Sequence, residues 1–198
     1  MMADMWRLFI AIEIPDEVLS SLAGIQTRLK QQAPPQTVRW VNADGIHLTL
    51  KFLGDTPAIK RASLEKALTE AVKGHAPFAL TTGTLGCFPN TRQPRVIWVS
   101  IQNDTDALKA LRDAVEEHIA PLGYPTEDRP FSPHLTLGRV HRDARRNDVQ
   151  QLGELIASAT VASTHEWQVT DVSLIRSELR PSGTVYTPLF HAPLRERQ

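Results

Sequence analysis

Sulfur chemistry is nearly absent from this chain. Its 198 residues include one cysteine, Cys87, which excludes an intrachain disulfide framework and a cysteine-ligated zinc or iron-sulfur centre. Net charge is absent as well, because 22 Lys+Arg balance 22 Asp+Glu. Proteins that coat nucleic acid draw their affinity from many neutralised phosphates, so a neutral chain is not built for extended coating, although a local basic cleft stays open to it. No apolar run approaches the roughly 20 residues of a membrane-spanning helix. Asp4 and Arg7 surround a short apolar stretch near the N-terminus where a cleavable signal would have a long apolar core. These absences predict a cytoplasmic protein with no membrane partner. Low-complexity tracts and long Gly/Ser/Pro linkers are missing too, so residues 1–198 are expected to form one domain.

What remains is ordinary globular composition, 41% apolar and 22% charged, enough to bury a substantial core. MWRLFIAIEI, stopped by Pro15, reads as a strand. Val18, Leu22, Ile25 and Leu29 recur at helical spacing and predict a helix over 16–32. The same reading gives strands over 38–41 and 46–53, a helix over 58–73, strands over 78–85 and 95–101, and a helix over 104–119. A strand over 134–140, a helix over 147–158 and a closing hairpin with arms 167–179 and 184–191 complete it. The order predicts an α+β fold with mixed or antiparallel sheets flanked by helices.

One tetrapeptide occurs twice, as His47-Leu48-Thr49-Leu50 and His134-Leu135-Thr136-Leu137. With 7 His, 17 Thr and 22 Leu in the chain, HLTL is expected roughly 0.007 times by chance, so two copies carry information. Alternation in a strand sends the leucines to the core and His and Thr together to the other face. Two such strands side by side would converge two imidazoles and two hydroxyls. Imidazole titrates near 6.5, so a pair can hold one neutral and one protonated ring near neutral pH, the distribution that general base plus general acid catalysis requires. Thr hydroxyls can donate to phosphate oxygens. A structural role for each His is the ordinary alternative. A His-His metal site is another, but neither motif has Cys, Asp or Glu at ligand spacing.

The chain also contains RLFIAIEIP, RWV before the first motif, HLTLKFLG, CFPNTRQPRVIWVSI, FSPHLTLGRV and LIRSELRPSGTVY. This ordered series resembles the two-histidine phosphoesterases, and within them the RNA 2′,3′-cyclic phosphodiesterases, also called RNA 2′-5′ ligases. The resemblance covers about Trp6 to Phe190. It implies a bilobal, pseudo-symmetric α+β fold with a central cleft and one HLTL motif per lobe. It also implies metal-independent hydrolysis of RNA 2′,3′-cyclic phosphate ends to 2′-phosphates, with no cofactor and with the reverse 2′-5′ joining reaction on the same atoms. His47 would be the proton donor to the leaving 3′ oxygen and His134 the proton acceptor that activates water. Thr49 and Thr136 would hold the phosphate, and Arg139 matches the family's basic residue after the second motif. Substrates would be RNA ends or nucleotides bearing a 2′,3′-cyclic phosphate, acted on by a monomer. Ser132 stands where relatives often carry a basic residue.

Strict alternation points Arg139 away from His134, so a bulge or strand end near Gly138 must turn it if it contacts substrate. Arg142, Arg145 and Arg146 form a basic run able to guide RNA, or simply a solvated face. Phe52, Phe88, Phe131 and Tyr186 are candidates for base stacking, with Phe52 assigned to the core by its parity with Leu48 and Leu50. A nucleotide-binding module without turnover is the competing reading, and two intact motifs speak against it.

Overall fold

The expected helices form where apolar residues repeat. Asp16–Gln32 (α1) buries Val18, Leu22, Ile25 and Leu29, and Arg61–Val72 (α2) buries Leu64, Leu68, Ala71 and Val72. Ala107–Ile119 (α3) buries Leu108, Leu111, Val115 and Ile119, while Arg146–Ser158 (α4) buries Leu152 and Ile156. Each set is one apolar stripe of a 3.6-residue repeat. The third helix begins later than its periodicity predicts because side chains take its first amides: Ala107 N–H donates to Thr105 Oγ1 at 3.3 Å and Leu108 N–H to Asn103 Oδ1 at 3.1 Å. Residues 58–60, read as helix from the pattern, form a short 3₁₀ turn leading into α2.

The computed structural model describes residues 4–161, 163–181 and 183–196. Its strands are Met5–Glu13 (β1), Val38–Trp40 (β2), His47–Pro57 (β3), Phe78–Phe88 (β4), Val96–Gln102 (β5), His134–Val140 (β6), Glu166–Val169 (β7), Asp171–Arg180 (β8) and Gly183–Pro193 (β9). They make two sheets, β3-β1-β8-β9 and β2-β6-β5-β4-β7. All pairings within them are antiparallel. The fold is therefore α+β, with one HLTL strand in each sheet and a continuous apolar core holding residues of both sheets and all four helices. No helix among the described residues is long and apolar enough to cross a membrane.

Two expectations need correction. Residues 167–179 are not one hairpin arm: Glu166–Val169 pairs with β4, and Asp171–Arg180 pairs with β1 and β9 in the other sheet. The chain changes sheets at Thr170, whose carbonyl accepts from Leu194 N–H at 2.8 Å. Apolar residues run on through the crossing at Trp167, Val169, Val172 and Leu174, so the pattern gave no sign of it. The motif strands are likewise not hydrogen-bonded neighbours. β3 is the edge of the four-stranded sheet, β6 lies inside the five-stranded one, and the two strands meet where the sheets approach each other.

Both motif strands carry a bulge three residues after the histidine. In β3, Ala11 pairs with Thr49 and Ile10 with Lys51, which leaves Leu50 extra. In β6, Trp98 pairs with Thr136 and Ile97 with Gly138, which leaves Leu137 extra. A bulge puts two residues opposite one and so reverses side-chain parity beyond it. This one device positions the site.

Candidate active site

Up to the bulge, alternation holds. Leu48, Leu50, Leu135 and Leu137 are buried, and His47, Thr49, His134 and Thr136 are half-buried on the opposite face. Past the bulge Lys51 turns inward and Phe52 outward, the latter 67% exposed. The core assignment of Phe52 is thus wrong: parity counted from Leu48 does not survive the extra residue. In β6 the same shift buries Gly138 and exposes Arg139 on the His134 face, as substrate contact requires. Phe52 and Arg139 hold equivalent places, five residues after their histidines.

The second bulge is pinned by a residue that sequence reasoning missed. Gln26, on the buried side of α1, donates through Nε2 to Leu137 O and Val41 O, each at 2.8 Å, and Leu137 O also accepts from Val41 N–H at 2.9 Å. A buried polar residue within an apolar helical stripe was the signal that could have found it, because such a group must find partners. At the first bulge, Lys51 reaches across to α3, where it pairs with Glu116, and it also donates to Pro125 O, beyond the end of that helix, at 2.9 Å. Arg112 lies 3.3 Å from the same carboxylate.

Each imidazole is fixed by the carbonyl two residues before it. His134 Nδ1 is 2.7 Å from Ser132 O. A carbonyl only accepts, so Nδ1 carries the proton and Nε2 of the neutral ring is left as a base. His47 makes the corresponding bond to the Gly45 backbone. Burial dominates the titration of both. It pushes His47 down to about 4 against the weaker opposing effect of its backbone bond. Burial also lowers His134, the Ser132 bond opposes this, and the positive charge of Arg139 lowers it further. Near neutral pH both rings are therefore neutral, in contrast to the expected mixed pair, because each is desolvated.

Aromatic rings set the two histidines. His47 stacks on Phe9 with centroids 4.4 Å apart and meets the edge of Tyr186 at 5.1 Å. A Cβ on Gly45 would stand 2.7 Å from the Tyr186 ring, so glycine there is what lets the tyrosine approach. Phe9, Ala11 and Ile175 form a small buried apolar floor on this face, with the Phe52 ring 6.1 Å from Phe9. On the other side, His134 meets Phe88 edge-on at 5.0 Å and Trp98 at 6.4 Å. Trp98, opposite Thr136, keeps a buried Nε1–H without a partner. Its register neighbour Gly86 leaves room for the indole, since a Cβ there would fall 2.2 Å from it.

Of the other candidates, Phe131 is engaged by the Arg112 guanidinium at 5.6 Å. Arg142 lines a groove with Arg139, whereas Arg145 and Arg146, both exposed, start α4 and take no part in that groove. Among the described residues no group of three or more His, Cys, Asp or Glu is arranged to hold a metal ion. What the two motif faces offer is two half-buried nitrogen bases, two hydroxyls and an arginine, a set of groups able to hold a phosphate and move protons.

Comparison with known proteins agrees. An RNA 2′,3′-cyclic phosphodiesterase of Methanothermobacter thermautotrophicus is 32% identical over 183 residues, covering 92% of this chain and 96% of its own. The crystal structure of TT0787 of Thermus thermophilus superposes with a TM-score of 0.80 at 30% identity, over 97% of this chain and 100% of that one. E. coli LigT complexed with 3′-AMP gives 0.76 at 28% identity, over 96% and 99%. The family description of the 2′-5′ RNA ligase superfamily matches residues 14–181. A repeated tetrapeptide on two bulged strands, a shared fold and a match across most of the sequence lead to one assignment: this chain belongs to the 2′-5′ RNA ligase superfamily.

Proposed function

We propose that this protein hydrolyses RNA 2′,3′-cyclic phosphate ends to 2′-phosphates by metal-independent acid-base catalysis between His47 and His134. The observation that supports this most directly is the matched pair of imidazoles, each tied to the carbonyl two residues upstream and each with a Thr two residues on along the same face. Thr49 and Thr136 donate to the nonbridging oxygens, and Arg139 neutralises the phosphate. His134 Nε2 takes a proton from water as its oxygen bonds to phosphorus. The bond to the 3′ oxygen breaks, and His47 supplies the proton that oxygen needs, leaving the phosphate on the 2′ oxygen. His47 is neutral near pH 7, so it takes up a proton from solvent as the substrate binds: an anion between the rings offsets the desolvation that holds its titration low. A 5′-hydroxyl in place of water gives the 2′-5′ joining reaction run over the same atoms. Both motifs come from one chain, so a monomer suffices, and residues 1–198 act as one bilobal unit.

Turnover of an oligonucleotide ending in a 2′,3′-cyclic phosphate tests this. His47→Ala and His134→Ala should each lower kcat by a factor of about 10² to 10⁴, the usual worth of a positioned acid or base, and EDTA should change nothing. Full activity in either variant refutes the two-histidine mechanism, and loss in EDTA restored by a divalent ion refutes its metal independence.

A further inference from the structure

Beyond the two histidines, the five-stranded sheet continues into a feature that hydrolysis of a single phosphate does not call for. Arg39 of β2 and Arg139 of β6 are direct cross-strand partners, and Arg139 pairs on its other side with Val96 of β5. Both arginines are exposed, and register partners share a face. Like charges placed opposite each other across two strands destabilise a sheet. Arg95 and Arg142 join them, with His141, around an open groove of about 800 Å³. No carboxylate among the described residues lines this groove. Among the described residues, none of the four arginines forms an ion pair, whereas Arg7, Arg61, Arg112, Arg129, Arg176 and Arg180 each do. Four uncompensated guanidiniums in a chain of zero net charge form a concentrated anion site.

Its place follows from the register. The rows of the sheet face run from His134 with Ser100, through Thr136 with Trp98, to Arg139 with Val96 and Arg39. A phosphate held at His134 and Thr136 therefore has the arginine groove as the next position along β6, at a strand rise of about 3.3 Å per residue. Arg139 lies between the two positions, close enough to His134 to depress its titration.

We propose that the Arg39-Arg95-Arg142 groove binds a second phosphate, the internucleotide phosphate next to the cyclic end, so that the preferred substrate is an RNA strand over a mononucleotide. This rests on the phosphodiesterase reading above. The basic run thereby divides: Arg142 contacts RNA, and Arg145 and Arg146 do not.

The experiment compares a 2′,3′-cyclic mononucleotide with a dinucleotide carrying the same cyclic end, using the wild-type chain and the triple variant Arg39→Gln/Arg95→Gln/Arg142→Gln. For the dinucleotide, the variant should lose tenfold or more in kcat/KM, mainly through KM, with a salt dependence shallower by about 0.7 for each phosphate no longer neutralised. Turnover of the mononucleotide should stay within twofold of wild type. Equal losses on both substrates, or no loss on either, overturn the second-phosphate site. If wild-type protein turns over neither substrate, the phosphodiesterase reading is what fails. Equilibrium titration with a dinucleoside monophosphate lacking the cyclic end then decides the groove by itself, since unchanged affinity in the variant refutes it. Folding is checked with Arg39→Gln, whose unfolding temperature without ligand should rise as its repulsion with Arg139 is relieved.

Discussion

Removing the imidazole of His47 should make the protein less sensitive to acid. In the folded chain this ring is held at about 4 by burial, against an ordinary value of 6.5. Between those values the unfolded chain binds a proton that the native chain refuses, so the native state loses stability as pH falls. The loss starts just above pH 6.5 and is complete below about 4. At pH 5 the unfolded imidazole is almost wholly protonated and the native one almost wholly neutral, which amounts to about 2 kcal/mol. At pH 7 the contribution is close to zero. Urea unfolding of the wild type and of His47→Gln at pH 7, 6 and 5 isolates this quantity, because the carboxylates that titrate in the same range are common to both. The wild type should lose about 2 kcal/mol more than the variant between pH 7 and 5. Adding inorganic phosphate should reduce that excess, because an anion in the cleft favours the imidazolium and binds only the native state. Parallel pH dependences for the two proteins would show that His47 titrates normally. The proton delivery proposed for it, which depends on a ring held neutral by burial, would then be unsupported.

Two substitutions probe the first bulge. Lys51→Met removes a cation whose side chain is 4% exposed and leaves Glu116, 5% exposed, with Arg112 alone. A broken buried pair costs about 3 to 5 kcal/mol, and adding Glu116→Leu should recover part of it. A single-variant cost under about 1 kcal/mol in urea unfolding would mean that the pair does not hold the strand. Phe52→Ala should shift stability by no more than about 0.5 kcal/mol, as for an exposed site. A loss of about 3 kcal/mol or more in the same assay would return the ring to the core and remove the parity reversal.

Apolar spacing was enough to place α1 and to put Leu48, Leu50, Leu135 and Leu137 inward, because burial of one face is what selects a 3.6 or a 2.0 repeat. Two identical tetrapeptides on that repeat marked His47, Thr49, His134 and Thr136 as one face of chemistry. The turn that Arg139 needed was also foreseeable, since its parity conflicted with its expected role. The bulges themselves are relations between strands: Leu50 is extra only with respect to β1, and Leu137 only with respect to β5. A one-dimensional pattern therefore misplaced Phe52. Nor could it show the sheet change at Thr170, where apolar residues continue without interruption.

The sequence by itself determined which groups are present and which local faces they share, because those depend on neighbours a few residues away. Tertiary structure decided their protonation, orientation and company. Burial against Phe9 and Tyr186 sets the titration of His47, Gln26 reaching from another element secures the bulge beyond His134, and strand register places Arg39 opposite Arg139 from a hundred residues away. Desolvation and cross-strand pairing exist only once distant segments have met, so zero net charge, a true statement about the chain, concealed a concentrated positive groove on the fold.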